Sequence, residues 1–568
     1  MCEAVPAVLL LGRNIRIMSR PLPLLGQMMD RPLSIIALLQ YAARCHATTE
    51  IVSRNCEGTI HRYGYGDAYA RVQKLAHALV SLGVNPGDRV ATLAWNNHRH
   101  FELYFAISGM GAVCHTINPR LAADQMAYIL NHAEDKVLFV DPTFVPLVAR
   151  LAGQLPRLQA VVVMTDRAHM PDAPAGFETL CYEDLIEGQP ESYDWPELDE
   201  RTASSLCYTS GTTGKPKGVM YSHRSTVLHA MAAGAAEGVG ISGRECVLPV
   251  VPLFHVNAWG IPYACAMFGA KLVMPGPRLD GEGLHEMFEA EKVTITAGVP
   301  TVWLNLINYL RQSGKRLDML KQLIIGGSAA PLAMIRTFEE EFGVPVAHAW
   351  GMTEMSPIGT VGTLKLADEA KPADERWLLK TSQGRMICMV DMKIVDPMGN
   401  RLPHDGKAFG ELLVAGPWIT SGYYENAEAN ASAFDDEGWF RTGDVATIDP
   451  DGYMRIVDRA KDVIKSGGEW ISSIDLENAV MGHPKVAEAA VIGVTHPKWD
   501  ERPLLIVVPK PGETPTKDEI LSWLSSRVAK LWLPDDMVLV DELPHSGTGK
   551  VLKAQLRQTF RDYALPTA

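Results

Sequence analysis

Residues 208 to 218 read Tyr-Thr-Ser-Gly-Thr-Thr-Gly-Lys-Pro-Lys-Gly, directly after the apolar-leaning run Ala203 to Tyr208. Glycines let a backbone approach an anion closely, and successive N–H groups in such a loop form a concave nest for negative charge. The hydroxyls of Thr209, Ser210, Thr212 and Thr213 add donors, and Lys215 and Lys217 add positive charge. The guest this implies is a polyphosphate; a surface loop of small polar residues is the competing explanation. The familiar P-loop is excluded by spacing, since that motif needs Gly, four residues, then Gly-Lys-Ser/Thr. Here Pro216 follows Gly214-Lys215, and the position five before Gly214 is Thr209.

A chain of 568 residues exceeds what one compact core can hold, so two or more domains are expected. The formal net charge of −13 argues against a general nucleic-acid binder, which would carry a basic face. Nine scattered cysteines without a CxxC pair offer neither a disulfide framework nor a zinc site and suit a reducing compartment. The apolar run Ala7 to Leu11 is too short to span a bilayer, and Arg13, Arg16 and Arg20 follow it without a cleavage signal. Residues 1–25 are therefore expected to be a loosely ordered extension of a cytoplasmic protein that is not integral to a membrane.

Strands are predicted at 89–95, 137–141, 160–164 and 323–325, where short apolar runs are bounded by turn residues. Helices are predicted at 66–83, 120–133 and 331–342, the last with Pro331 in its first turn. Alternating strands and helices imply a layered α/β architecture with mixed sheets. Near residue 458 a smaller α+β unit begins, with strands at 486–492 and 504–508. An amphipathic helix is predicted from Thr516 to Leu531, with Ile520, Leu524, Val528 and Leu531 on one face.

The 208–218 segment closely resembles the signature of the adenylate-forming superfamily of acyl-CoA synthetases, adenylation domains and luciferases. Five further segments match that family in order and approximate spacing, so the resemblance covers residues 30 to 560. It implies a large N-terminal domain (1–458) and a small mobile C-terminal domain (459–568), with the hinge at Lys461. Gly326-Gly-Ser-Ala-Ala-Pro331 follows a strand and precedes a helix, which places the backbone of Gly327 and Ser328 against the nucleotide. Ala349-Trp-Gly-Met-Thr-Glu354 follows His348, and the resemblance assigns His348, Ala349, Trp350 and Gly351 to the nucleotide. Trp350 can stack on a purine, Thr353 can donate to the α-phosphate, and Glu354 is a hard oxygen ligand for Mg²⁺, joined at the metal by Thr209.

Asp444, in Trp439-Phe-Arg-Thr-Gly-Asp444, can accept two hydrogen bonds from a ribose diol, and Arg459 stands fifteen residues on. A structural Arg–Asp pair is the competing explanation. By resemblance, Lys461, Lys465 and Trp470 also meet the nucleotide, and Gly467-Gly468 admits the pantetheine arm of coenzyme A. Lys550, in Pro544-His-Ser-Gly-Thr-Gly-Lys550, matches the catalytic lysine. A cation there offsets the repulsion between a substrate carboxylate and an α-phosphate. His255 and Trp259, in Pro252-Leu-Phe-His-Val-Asn-Ala-Trp259, match the acyl tunnel, and a core histidine is the plainer alternative for His255. No acidic residue stands there to hold an ammonium, which favours an acid without an amino group.

The implied activity is an AMP-forming acid–CoA ligase using ATP, Mg²⁺ and coenzyme A. The motifs look most like medium- and long-chain fatty acyl-CoA synthetases, with a 3-(methylthio)propionate ligase as the alternative. An adenylation domain loading a carrier protein and a non-catalytic nucleotide-binding relative are the remaining readings. The resemblance also implies a homodimer.

Overall fold

The computed structural model describes residues 26–173, 176–209, 215–467, 469–545 and 551–567, the side chains of Glu469 and Trp470 excepted. The chain divides into Met1–Pro32 and Leu33–Ala568, and everything below concerns the second. Ser210, Gly211, Thr212, Thr213, Gly214, Gly468, Lys550 and the extension at 1–25 lie outside the described residues, as does the side chain of Trp470.

The predicted strands at 137–141 and 160–164 appear as Val137–Val140 and Ala160–Val163, every residue of them buried. Burial on both faces is why they read as unbroken apolar runs. They belong to a seven-stranded sheet in which Val113–Thr116 lies between Arg89–Leu93 and Ala203–Tyr208. All its pairs are parallel except the last, where Ala203–Tyr208 runs antiparallel to Gly218–Ser222. That pair is a hairpin at one edge of the sheet, Gly218–Ser222 being the edge strand, and the glycine-rich 208–218 motif connects its two strands in sequence.

A nine-stranded sheet has a parallel centre that includes Ile295–Gly298, Gln322–Ile325 and Val346–Gly351. Antiparallel strands, among them Ile358–Val361, close its edges. A third sheet, antiparallel throughout, carries Phe440–Ile448 beside Met454–Arg459.

The small C-terminal domain is built on one long hairpin, Val486–His496 with Asp500–Pro509. Its two faces bury different partners, as a strand period of two requires. Val491, Leu505 and Val507 pack with Leu476, Val480, Ile520 and Leu524, whereas Ile492, Leu504 and Ile506 pack with Leu543, Leu556 and Leu565.

Two helices differ from expectation. The 516–531 helix spans only Lys517–Ser525, capped by Thr516, and Leu531 falls in a separate 3-10 turn, Lys530–Trp532. Ser525 bonds back to the Ser522 carbonyl at 2.7 Å, the competition with backbone hydrogen bonding that weakens helix ends. At 331–342 the α-helix is Leu332–Arg336, continued by a wider π turn, Thr337–Glu341. Pro331 caps this helix with extended backbone instead of sitting in its first turn.

Candidate active site

The C-terminal ends of the parallel strands and the third sheet converge on a cavity of about 500 Å³. Ligands of open α/β sheets bind at that end of the strands. Of the residues singled out from sequence, Thr209, Lys217, His255, Trp259, Gly327, Ala349, Trp350, Gly351, Thr353, Glu354, Asp444, Arg459 and Lys461 all line it.

At one end of the cavity, the Thr209 amide donates to the Lys217 carbonyl at 2.9 Å. The Lys217 ammonium stands 4.8 Å from the centre of the Tyr423 ring, whereas that of Lys215 lies over Tyr128 and outside the lining. Tyr423 also donates to Oε1 of Glu354 at 2.7 Å. Glu354 is only 6 % exposed, and burial raises its carboxyl above the usual range. Thr353 beside it is held through its carbonyl, which accepts from the Tyr221 hydroxyl at 2.6 Å. A buried carboxylate beside a threonine, bonded by the Tyr423 phenol, is a donor set that a hard divalent cation fits.

On the third sheet, strand pairing sets Asp444 opposite Arg459. Oδ1 of Asp444 pairs with the Arg459 guanidinium at 2.9 Å, and Oδ2 accepts from the Trp350 indole at 3.0 Å. The structural Arg–Asp pair weighed from sequence therefore exists, and both partners still face the cavity. Gly359 makes room for Trp350, since a Cβ there would come within 2.6 Å of the indole.

The remaining wall is the segment Pro252–Trp259. Asn96 pins its approach, donating to the carbonyls of Pro249 and Val251 and accepting from the Leu253 amide. Beyond His255 the backbone enters a left-handed turn. Val256, Asn257, Ala258 and Trp259 have φ of 48°, 51°, 49° and 57°, and Gly260 follows at 72°. Left-handed backbone costs about 1–2 kcal/mol per non-glycine residue, so the surroundings must hold this turn in place. Trp259 ends it over Gly326, where a Cβ would approach the indole to 2.7 Å.

Besides Lys215, four described positions singled out from sequence stand outside the lining. His348 is buried behind the glycine loop, accepting from the Ala330 amide at 3.3 Å, and burial lowers its pKa to about 4. Ser328 is exposed, Lys465 lies on the C-terminal strand Ile464–Ser466, and Gly467 is in the turn that follows it. Sequence reasoning missed Tyr423, Asn96 and Arg441. Tyr423 follows Gly422 in a segment with no chemical pattern, and its link to Glu354 spans 69 positions.

The sequence profile of AMP-binding enzymes matches residues 39–424, and that of their C-terminal domain matches residues 475–550. The chain is 52 % identical over 541 residues to a 3-methylmercaptopropionyl-CoA ligase of Ruegeria lacuscaerulensis, covering 95 % of this chain and 99 % of that one. It is 48 % identical over 547 residues to a medium-chain-fatty-acid–CoA ligase of Ectopseudomonas oleovorans, covering 95 % and 98 %. The solved structure of the anthranilate CoA ligase AuaEII with anthranoyl-AMP superposes with a TM-score of 0.82 at 25 % identity, covering 94 % of this chain and 98 % of that one. The 208–218 motif, the cavity at the strand ends and matches over nearly the whole length agree: the chain belongs to the AMP-binding enzyme family, among its AMP-forming acyl-CoA ligases.

Proposed function

We propose that this ligase activates an unbranched acid with an apolar tail and no amino group, a medium-chain fatty acid first and 3-(methylthio)propionate as the second reading. One observation carries the choice. Among the described residues lining the cavity, Glu354 and Asp444 are the only carboxylates, and both belong to the nucleotide end. The opposite wall is made by Val251, Phe254, Val256, Trp259, Val299 and Ile358, with His255 among them. An ammonium there would be buried without a partner, at a cost of several kcal/mol. The second reading is favoured by the 52 % identity to a ligase of that thioether acid.

In the first half-reaction the acid carboxylate attacks the α-phosphorus of ATP, giving acyl-AMP and pyrophosphate. Thr209 and Lys217 hold the leaving pyrophosphate, Trp350 with Asp444 and Arg459 orients the nucleoside, and Thr353 donates to the α-phosphate. Glu354 with Thr209 would hold Mg²⁺, which when bound offsets the negative charge of the triphosphate. Lys550 is assigned the place between the two reacting anions. In the second half the thiol of coenzyme A attacks the acyl carbon and AMP leaves. For that step we assign the division at 458/459 as a moving boundary, Lys461 as the hinge, and Gly467 and Gly468 as the path of the pantetheine arm. We also assign a homodimer in the cytoplasm, and sedimentation equilibrium tests the dimer.

Initial rates of AMP formation with coenzyme A on butanoate, octanoate, palmitate and 3-(methylthio)propionate test the acid. Preference for octanoate or the thioether acid is the expected result. Failure of all four, with turnover of an amino acid instead, overturns it.

A further inference from the structure

The left-handed turn contains one residue that reaches away from the cavity. Asn257 is 3 % exposed and absent from the lining, while His255, Val256 and Trp259 on either side of it are in the lining. Its Nδ2 donates to the Ser205 hydroxyl at 2.9 Å, and its Oδ1 accepts from the Cys207 thiol at 3.5 Å. Ser205 in turn donates to the Cys114 carbonyl at 3.1 Å, on the neighbouring strand Val113–Thr116. Ser205 and Cys207 are alternate residues of Ala203–Tyr208, so they share one face of that buried strand.

Asparagine meets two demands here at once. It tolerates left-handed backbone better than most residues, and its amide offers a donor and an acceptor to two neighbouring groups. Val256, Ala258 and Trp259 have neither property, and a β-branched residue such as Val256 is an outlier at positive φ. The Asn257 side chain ties the turn to the sheet through two bonds, to Ser205 and to Cys207. Gly260 closes the turn where a Cβ would meet His229 at 2.7 Å, so the chain has no slack on that side.

We propose that Asn257 is a specificity-setting positioning residue: by fastening the left-handed turn to Ser205 and Cys207, it sets where His255, Val256 and Trp259 stand at the acid end of the cavity. This rests on the assignment of that wall to the acid. Without the anchor the turn relaxes and the wall loses its defined shape. The enzyme then binds its acid less tightly and discriminates chain length less well, while the nucleotide end is undisturbed.

The test is the purified Asn257→Gly variant, which keeps the backbone freedom for positive φ and removes only the side-chain anchor. Ser205→Ala serves as a second variant that cuts the same link from the strand, and it carries the test if the glycine variant does not accumulate. For both, KM for the acid is expected to rise about tenfold and the ratio of kcat/KM between octanoate and butanoate to shrink by a similar factor. KM for ATP is expected to stay within about twofold, and Cys207→Ser, which keeps a donor, to remain near wild type. A wild-type acid KM and chain-length profile in Asn257→Gly overturns the proposal, as does a parallel rise in the KM of acid and ATP. If wild type itself turns over none of these acids, the acid assignment is what falls, and the proposal falls with it.

Discussion

The indole nitrogen of Trp350 donates to Oδ2 of Asp444 at 3.0 Å, joining two segments 94 positions apart. Asp444 thus has one oxygen on Trp350 and the other on Arg459. A hydrogen bond to a charged group that is 3 % exposed has no water to replace it.

Trp350→Phe keeps the ring and removes that single donor. KM for ATP is expected to rise about tenfold, the effect of losing one hydrogen bond to a charged partner. KM for the acid should change little, because Asp444 bonds to Trp350 and Arg459, none of them part of the proposed acid wall. Titrating ATP and acid separately in steady state checks the split, and equal rises in both constants contradict it.

Glu354 sets a pH dependence whose direction follows from its surroundings. Burial raises its carboxyl above the ordinary range, and the Tyr423 hydrogen bond, made to the charged form, opposes that rise. Activity that needs the carboxylate is therefore lost as pH falls through a value above the usual one. Tyr423→Phe removes the opposing bond, so the acidic limb of the ATP–pyrophosphate exchange profile should move to higher pH. An unmoved or lower limb contradicts this assignment.

The same shift has a consequence for folding. A carboxyl whose folded pKa is raised weakens the folded state once pH exceeds its unfolded value, so ionised Glu354 destabilises the free protein at neutral pH. Glu354→Gln should raise the thermal midpoint of the free protein while pyrophosphate exchange drops by about a hundredfold or more. Calorimetry at pH 7 checks the first and a Mg²⁺ titration of exchange checks the second. A lowered midpoint with retained exchange removes Glu354 from the proposed metal site.

How much of this was legible beforehand depended on how local each signal was. Val137–Val140 and Ala160–Val163 were readable because burial on both faces leaves only apolar residues. The 208–218 motif could be singled out because its glycines, hydroxyls and lysines are contiguous. Tyr423 was not, because its meaning lies in Glu354, far away in sequence. The left-handed turn was also hidden: valine, alanine and tryptophan have no preference for positive φ, so only their neighbours could impose it. The short helix Lys517–Ser525 shows the reverse error, where an apolar period ran on past the point at which serines end the helix.

In the C-terminal domain, Lys553 is nearly buried and pairs with Glu477 at 2.7 Å and with Ser473. Burial raises the Glu477 carboxyl, and the Lys553 charge acts against that. Lys553→Met leaves a buried carboxylate unpaired, and the expected loss is about 3–5 kcal/mol of domain stability. Adding Glu477→Gln should recover part of it. Denaturant melts of both variants give the comparison, and a single variant as stable as wild type refutes the claim.

Lys461 lies between two anchors that belong to different parts of the chain. On one side the Ala460 amide donates to Gly443 at 2.9 Å, and Arg459 pairs with Asp444. On the other, Asp462 takes both terminal nitrogens of Arg557, in the last helix, Lys553–Thr559. Torsion at Lys461 would move the second anchor relative to the first at the cost of the turn bonds that the Asp462 and Val463 amides donate to the Arg459 carbonyl at 2.8 and 2.9 Å, and the hinge role stays a proposal on that footing. Lys461→Pro fixes φ and narrows that freedom. Thioester formation from added acyl-AMP is expected to slow by about tenfold or more, while ATP–pyrophosphate exchange stays within about twofold, because the proposed hinge motion serves the second half-reaction alone. Rapid-quench measurement of the two half-reactions separates them, and an equal loss in both would mean that Lys461 serves the cavity it lines and not the motion.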